Sequence, residues 1–141
     1  MTYSLLHLNW LAVIVTTVVG FLLGWLWYSP LLFGNVWKAE MKVTDEKMKE
    51  IAQKGMARFF LLGLLYTLIS TIALAVLIRA HIPVTWSKGA RYGAFIGAVI
   101  VGARMLNAGV WEMRTLKLQA IKVGHEIVLF ALQGAILTVW W

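Results

Sequence analysis

Few side chains in this sequence of 141 residues are placed to do chemistry, and the two most conspicuous are Arg104 and Glu126, each deep within an apolar stretch. An ionisable group in such a setting is costly to keep and is a functional candidate by default. Arg104 shares a helical face with Gly93, Gly97, Asn107 and Trp111 at seven- and eleven-residue offsets and their short-range equivalents, so that face is expected to point into a helix bundle. In the next apolar stretch Gln119, Lys122, Glu126 and Gln133 fall on one stripe. A turn near Thr115 would leave Arg104 and Glu126 each eleven residues away, at matching depth. Arg104, Asn107, Glu112, Arg114, His125, Glu126 and Gln133 are therefore the expected polar site for a small solute or ion. Transport chemistry there would use His125 and Glu126 to exchange protons and Arg104 as counter-charge or anion contact. The plainer reading is an ion pair holding two helices in register, with Asn107 and Gln133 bonding across helices at about 0.6 kcal/mol each.

Other chemistries find little support. There is no cysteine, which removes thiolate catalysis, disulfides and cysteine-ligated metals together. The three histidines, His7, His81 and His125, stand apart and no carboxylates cluster, so no catalytic residue, metal site or cofactor is expected and the chain reads as non-enzymatic. His7 and His81 fall near the ends of apolar segments, where an interfacial role is the simplest. A net charge of +7 would suggest nucleic acid in a soluble protein, but no platform of aromatic and basic residues accompanies it, so nucleic acid is not an expected partner.

The elements that must position these residues follow from composition. Hydrophobic residues make up 61% of the chain and charged residues 13%, with mean hydropathy +0.79, whereas a soluble domain is about half apolar and a quarter charged. Too few polar groups remain to cover a water-facing surface, so the bilayer is the expected solvent. Four apolar segments, about 8–28, 59–78, 90–110 and 119–141, each have the roughly 20 residues needed to cross it. Spanning backbone must satisfy its own hydrogen bonds, which makes all four helices. The expected fold is all-α, a single integral membrane four-helix bundle over 1–141. Trp10, Trp25, Trp27, Trp86, Trp111, Trp140 and Trp141 stand at segment ends, as residues of the headgroup layer do, and Trp37 lies in a loop. The first segment lacks a preceding basic residue and a small-x-small cleavage pattern, so it is expected to stay in the mature protein.

Orientation follows from Lys and Arg. Lys38, Lys42, Lys47, Lys49, Lys54 and Arg58 in the first loop join Arg114, Lys117 and Lys122 of the third on one side, against Arg79, Lys88 and Arg91 on the other. The richer side is expected in the cytoplasm and both termini outside, in a bacterial inner membrane. In the first loop Thr44 suits an N-cap, Asp45 and Glu46 suit a first turn, and Met48, Ile51 and Ala52 make an apolar stripe before Gly55. Asp45 with Lys49 and Glu50 with Lys54 are spaced to pair. This predicts a short amphipathic helix on the cytoplasmic headgroups, with a protein-docking surface as the alternative.

Small residues at four-residue spacing let helices approach closely in lipid. Gly20 and Gly24 form one such pair, and Gly89, Gly93 and Gly97 form a longer run that marks the third segment as central to the bundle or to an oligomer. After the first segment comes Tyr28-Ser29-Pro30-Leu31-Leu32-Phe33-Gly34, where Pro30 stops the helix and Gly34 permits a turn. It reads as a structural stop, with a ligand-facing role for Tyr28 and Ser29 as the alternative.

Asn9-Trp10-Leu11-Ala12, Gly20 and Gly24, and Trp27-Tyr28-Ser29-Pro30-Leu31-Leu32-Phe33-Gly34 with Trp37 resemble the start of a bacterial family of small four-span membrane proteins of unknown function. Trp111-Glu112-Met113-Arg114 and Gly134-Ala135-Ile136-Leu137 with Trp140 are similar to its later stretches, whereas Lys122 to Glu126 departs from the family's Asn-x-Gly-Tyr-His. The resemblance implies the four-span architecture and no activity. Two roles remain open at this stage. One is a polar intramembrane site between segments three and four that binds or passes a small solute or ion. The other is an accessory or scaffold subunit with purely structural charges. Expected partners are membrane lipids, with a second copy of the chain or a larger membrane complex beside them.

Overall fold

The computed structural model describes residues 7–81 and 85–140, with the side chain of His81 left aside, so the roles expected of His81 and Trp141 lie outside the described residues. The described chain is helical, and four of its helical stretches are long and apolar enough to cross a membrane. Helix α1 spans Trp10–Trp27, α2 Gly34–Glu40, α3 Asp45–Gln53 and α4 Met56–His81. The third span is α5, Trp86–Phe95, continued by a π-helical stretch, Ile96–Gly102, and α6, Ala103–Trp111; the fourth is α7, Leu116–Val139.

Local chemistry explains the boundaries. Asn9 accepts from Ala12 N–H and starts α1, while its amide donates to the Trp140 carbonyl and joins the two ends of the chain. Thr44 caps α3 and Thr115 caps α7 by accepting from Lys47 N–H and Leu118 N–H. Both α2 and α6 end in a left-handed residue, Lys42 and Met113, whose N–H bonds with that of the next residue back onto the last turn. In α3, Glu50 pairs with Lys54 as the spacing predicts, and also with Lys47; Asp45 reaches back to Lys38, at 3.6 Å, rather than to Lys49. Met48 and Ile51 turn inward while Ala52 is exposed.

The expectation of a central third span is corrected. The hub is α7, the most buried of the four, which packs against α1, α4 and the whole third span. The glycines do two different jobs. Gly89, Gly93 and Gly97 lie against α7 backbone: a methyl group on Gly93 would stand 1.9 Å from the Phe130 carbonyl oxygen, and one on Gly89 2.3 Å from that of Gly134. Gly20 and Gly24 instead face side chains, Leu129 and Gln133 for the first and His125 for the second.

The inward face of the third span changes register. Gly89, Gly93 and Gly97 are spaced by four, but the next inward glycine, Gly102, comes five later and packs against Val123, followed by Gly109 against Gln119. The π-helical stretch adds a residue to the turn, which displaces every later position by about 100° around the axis. Arg104, Asn107 and Trp111 are therefore exposed, turned away from α7, and the expected inward Arg104 face does not form.

Helices α1 and α4 close tightly at one end only. Ala12 and Val13 meet Leu74, Ala75 and Ile78 there, all essentially without exposure. Toward the other end, Phe59, Phe60, Leu61, Leu65 and Tyr66 of α4 are exposed, and the contacts there are lighter: Phe21 edge-on to Phe60 at 6.1 Å and beside Gly63, and Gly20 beside Thr67. The two helices thus splay under α2 and α3.

Candidate functional site

The splay is roofed by a compact turn. Pro30 ends α1, and the chain folds back so that Phe33 N–H bonds to the Trp27 carbonyl and Leu32 and Gly34 N–H to that of Ser29. The buried Ser29 hydroxyl donates to the Leu26 carbonyl and accepts from Leu31 N–H. A methyl group on Gly34 would stand 2.3 Å from the Tyr28 carbonyl oxygen, so only glycine closes this turn. The Trp27 ring stacks on Phe33 at 4.7 Å, and its N–H donates to the Ile121 carbonyl, which clamps the end of α1 onto α7.

Beneath the turn lies a cavity of about 560 Å³ walled by α1, α2, α3, α4 and α7, within the 300–1,000 Å³ of small-molecule sites. Gly20, Gly24 and Gly63 hollow it out, Phe21, Phe60, Met56 and Leu129 make its walls apolar, and Tyr28, Trp37, Lys38 and His125 gather at its turn end. The exposed edges of Trp25, Met56 and Phe60 leave it open sideways between α1 and α4. Its roof includes Met48, the one residue of the α3 apolar stripe that lines the cavity.

His125 is the one side chain of the expected site that lines this cavity. It is nine-tenths buried, between the rings of Tyr28 at 5.3 Å and Trp27 at 5.8 Å. Its Nδ1 lies 3.0 Å from the Glu126 carboxylate, while Nε2 is buried and has no hydrogen-bond partner. Which ring nitrogen carries hydrogen sets whether Nε2 offers a lone pair or an N–H.

The other expected site residues separate. The turn near Thr115 forms, yet Glu126 lies opposite Gly97 rather than level with Arg104; Arg104 faces outward and Glu126 engages His125 instead. Asn107 is exposed and makes no bond across helices, whereas Gln133 is fully buried and donates to Thr71 of α4 at 2.8 Å. Gln133 Oε1 and Thr16 Oγ1, both buried, stay unpaired. Glu112 and Arg114 pair at 3.0 Å, Arg114 also reaches the Met41 sulfur, and Gln119 donates to the Arg114 carbonyl. Thr115 and Lys117 both contact Glu40. These bonds tie the third loop to α2, and the hollow between α6 and α7, about 80 Å³, has room for only a few waters. The space between the third and fourth spans is thus small, and the larger cavity lies among the first, second and fourth.

The sequence held a signal for this cavity. Gly20, Gly24 and Tyr28 are spaced by four and so share one face, a hollow ending in a tyrosine just before the Ser-Pro stop. Reading that face as a helix-packing seam missed that a glycine can make room for a side chain or a ligand as well as for backbone.

No curated protein and no solved structure matches the chain. The family model described as "Protein of unknown function (DUF1761)" matches residues 11–138, from the second residue of α1 nearly to the end of α7 and across the whole cavity. The chain belongs to this family of unknown function.

Proposed function

We propose that this is a non-enzymatic membrane protein whose cavity among α1, α4 and α7 binds a small, largely apolar molecule entering sideways from the bilayer. The observation that carries the reading is His125: a side chain on the wall of a mostly apolar cavity, whose buried Nε2 has no hydrogen-bond partner. Leaving such a group unpaired costs about 1–3 kcal/mol, which an occupant able to bond it would offset. Apolar walls with a few convergent polar groups are what such sites need. The reaction-free reading rests on the same lining, whose two aliphatic hydroxyls are already engaged. Ser29 Oγ is spent on backbone and Thr67 Oγ1 on the Gly63 carbonyl.

The excess of Lys and Arg on the side of the first and third loops supports a cytoplasmic turn end with both termini outside, in a bacterial inner membrane. One observation favours association as a second reading: Arg104 and Asn107 point outward from a membrane span, where bare lipid suits them poorly. Co-purification with a second copy or another membrane protein in mild detergent, lost on Arg104→Leu, would support it.

The cavity is tested by photolabelling the protein in nanodiscs with a neutral diazirine-bearing decyl alcohol. Labels should concentrate on peptides carrying Trp25, Met56 and Phe60, and Gly63→Leu, which fills the hollow, should remove them while the protein stays folded. Labels spread evenly over all outward helix faces and unchanged by Gly63→Leu would refute the proposal.

A further inference from the structure

We infer that the cavity selects an amphiphile with an acidic head and a single apolar tail; this rests on the binding role proposed above and adds the chemistry of the ligand. The polar groups at the turn end are almost all donors. Tyr28 and Trp37 meet edge to face at 5.9 Å, and neither the phenol hydroxyl nor the indole N–H makes a hydrogen bond among the described residues. Lys38 sits beside them on the rim with a third of its side chain exposed, held only by a 3.6 Å contact to Asp45, itself 85% exposed. A loose surface pair of this kind contributes little and yields readily to a better partner. A hydroxyl, an indole N–H and an ammonium converging on one end of a cavity match the acceptor oxygens of a carboxylate or phosphate.

One acidic group nearby works against this. Glu126 does not line the cavity and its carboxylate is engaged by His125 Nδ1, but its charge reaches the Tyr28 phenol, and the Lys38 ammonium must outweigh it. An aromatic cage of this kind would also suit a quaternary ammonium, but Lys38 at the mouth places a like charge against it. The deeper walls, Gly20, Phe21, Phe60, Gly63 and Leu129, offer a tail no polar contact. From Tyr28 to Gly20 is eight residues of helix, about 12 Å of depth, enough for one alkyl chain of medium length.

The test uses the full chain in nanodiscs of zwitterionic lipid and four probes with one decyl tail: decanoate, decyl phosphate, decanol and decyltrimethylammonium. Saturable binding is read from tryptophan fluorescence and defined as the part lost in Gly63→Leu. Decanoate or decyl phosphate should bind at least about tenfold more tightly than decanol, the worth of one charge-assisted hydrogen bond. Whichever of the two acids binds better identifies the head. Lys38→Gln should bring the acids to within about threefold of decanol without changing decanol itself, and Trp37→Phe, which keeps the ring and removes the N–H, should shift the acids the same way. Equal binding of decanol, or a preference for decyltrimethylammonium, would overturn the acidic head and leave the binding role standing. No saturable binding of any probe would overturn both.

Discussion

The seam between the third span and α7 allows a sharp test, because some glycines of the chain meet backbone at close range and others only side chains at ordinary distance. In Gly93→Ala the new methyl group would stand 1.9 Å from the Phe130 carbonyl oxygen, and ordinary contact begins at 3.4 Å, so the helices must part by about 1.5 Å. No flexible side chain can yield there, since the obstacle is the backbone of α7. A radial gap of 0.5–1 Å already forfeits about a quarter to a half of each dispersion contact, and overpacking a fixed core costs roughly 1–3 kcal/mol or more. Parting at Gly93 also loosens Gly89 and Gly97 on either side, which places the expected loss at about 3 kcal/mol or above. Gly63→Ala and Gly124→Ala are the controls: their methyl groups would meet Phe21 and Trp27 at 3.5 Å, an ordinary contact. Those two should be neutral or gain up to about 1 kcal/mol from helix propensity. The assay is reversible unfolding of the purified protein in mixed micelles, followed by circular dichroism. If Gly93→Ala stays within about 0.5 kcal/mol of the parent, the ordinary spread for a surface change, or if seam and control variants prove indistinguishable, the close approach of these helices is refuted.

Two further outcomes follow from local geometry. Met113 is 92% exposed and held at φ 52°, so Met113→Gly removes left-handed strain at no packing cost and should stabilise by about 0.5–1 kcal/mol in the same unfolding assay. In α3, hydrogen bonds from Lys54 and Lys47 hold the exposed Glu50 carboxyl below the usual carboxylate range. A lowered acid lends its support above its unfolded value and loses it as pH falls through the lowered one. Amide-exchange protection of residues 45–53 should therefore weaken on acidification, and Glu50→Gln should remove that part of the pH dependence; an unchanged profile in the variant would contradict it.

Much of the architecture was legible before any coordinates. The four apolar stretches, the cap at Thr44, the turn near Thr115 and the exposed tryptophans at Trp10, Trp25, Trp86 and Trp111 all appear in the folded chain. The site was less so. Arg104 and Glu126 were expected level and facing each other, but depth and angle both differ, because a phase counted at 3.6 residues per turn fails across Ile96–Gly102 and Gly97 stands opposite Glu126. Gln133 was expected to bond across helices and does, but to Thr71 of α4. Tyr28 and Ser29 were read first as a stop; Ser29 is one, and Tyr28 also lines the cavity.

What the amino-acid sequence determines by itself is the relation of each helix to its solvent: length, apolarity, caps and the tryptophans at its ends. These depend on one helix and its surroundings, so they can be read along the chain. Only the tertiary structure decides which way each helix is turned and how far apart two helices stand. One extra residue in a π-helical turn rotates Arg104 out of the bundle, and identical glycines become a seam at Gly93 and a hollow at Gly24 according to what lies opposite. Rotation and separation are set by pairs of surfaces far apart in sequence, and that is why the cavity beneath the Tyr28 turn emerged only when α1, α4 and α7 were seen together.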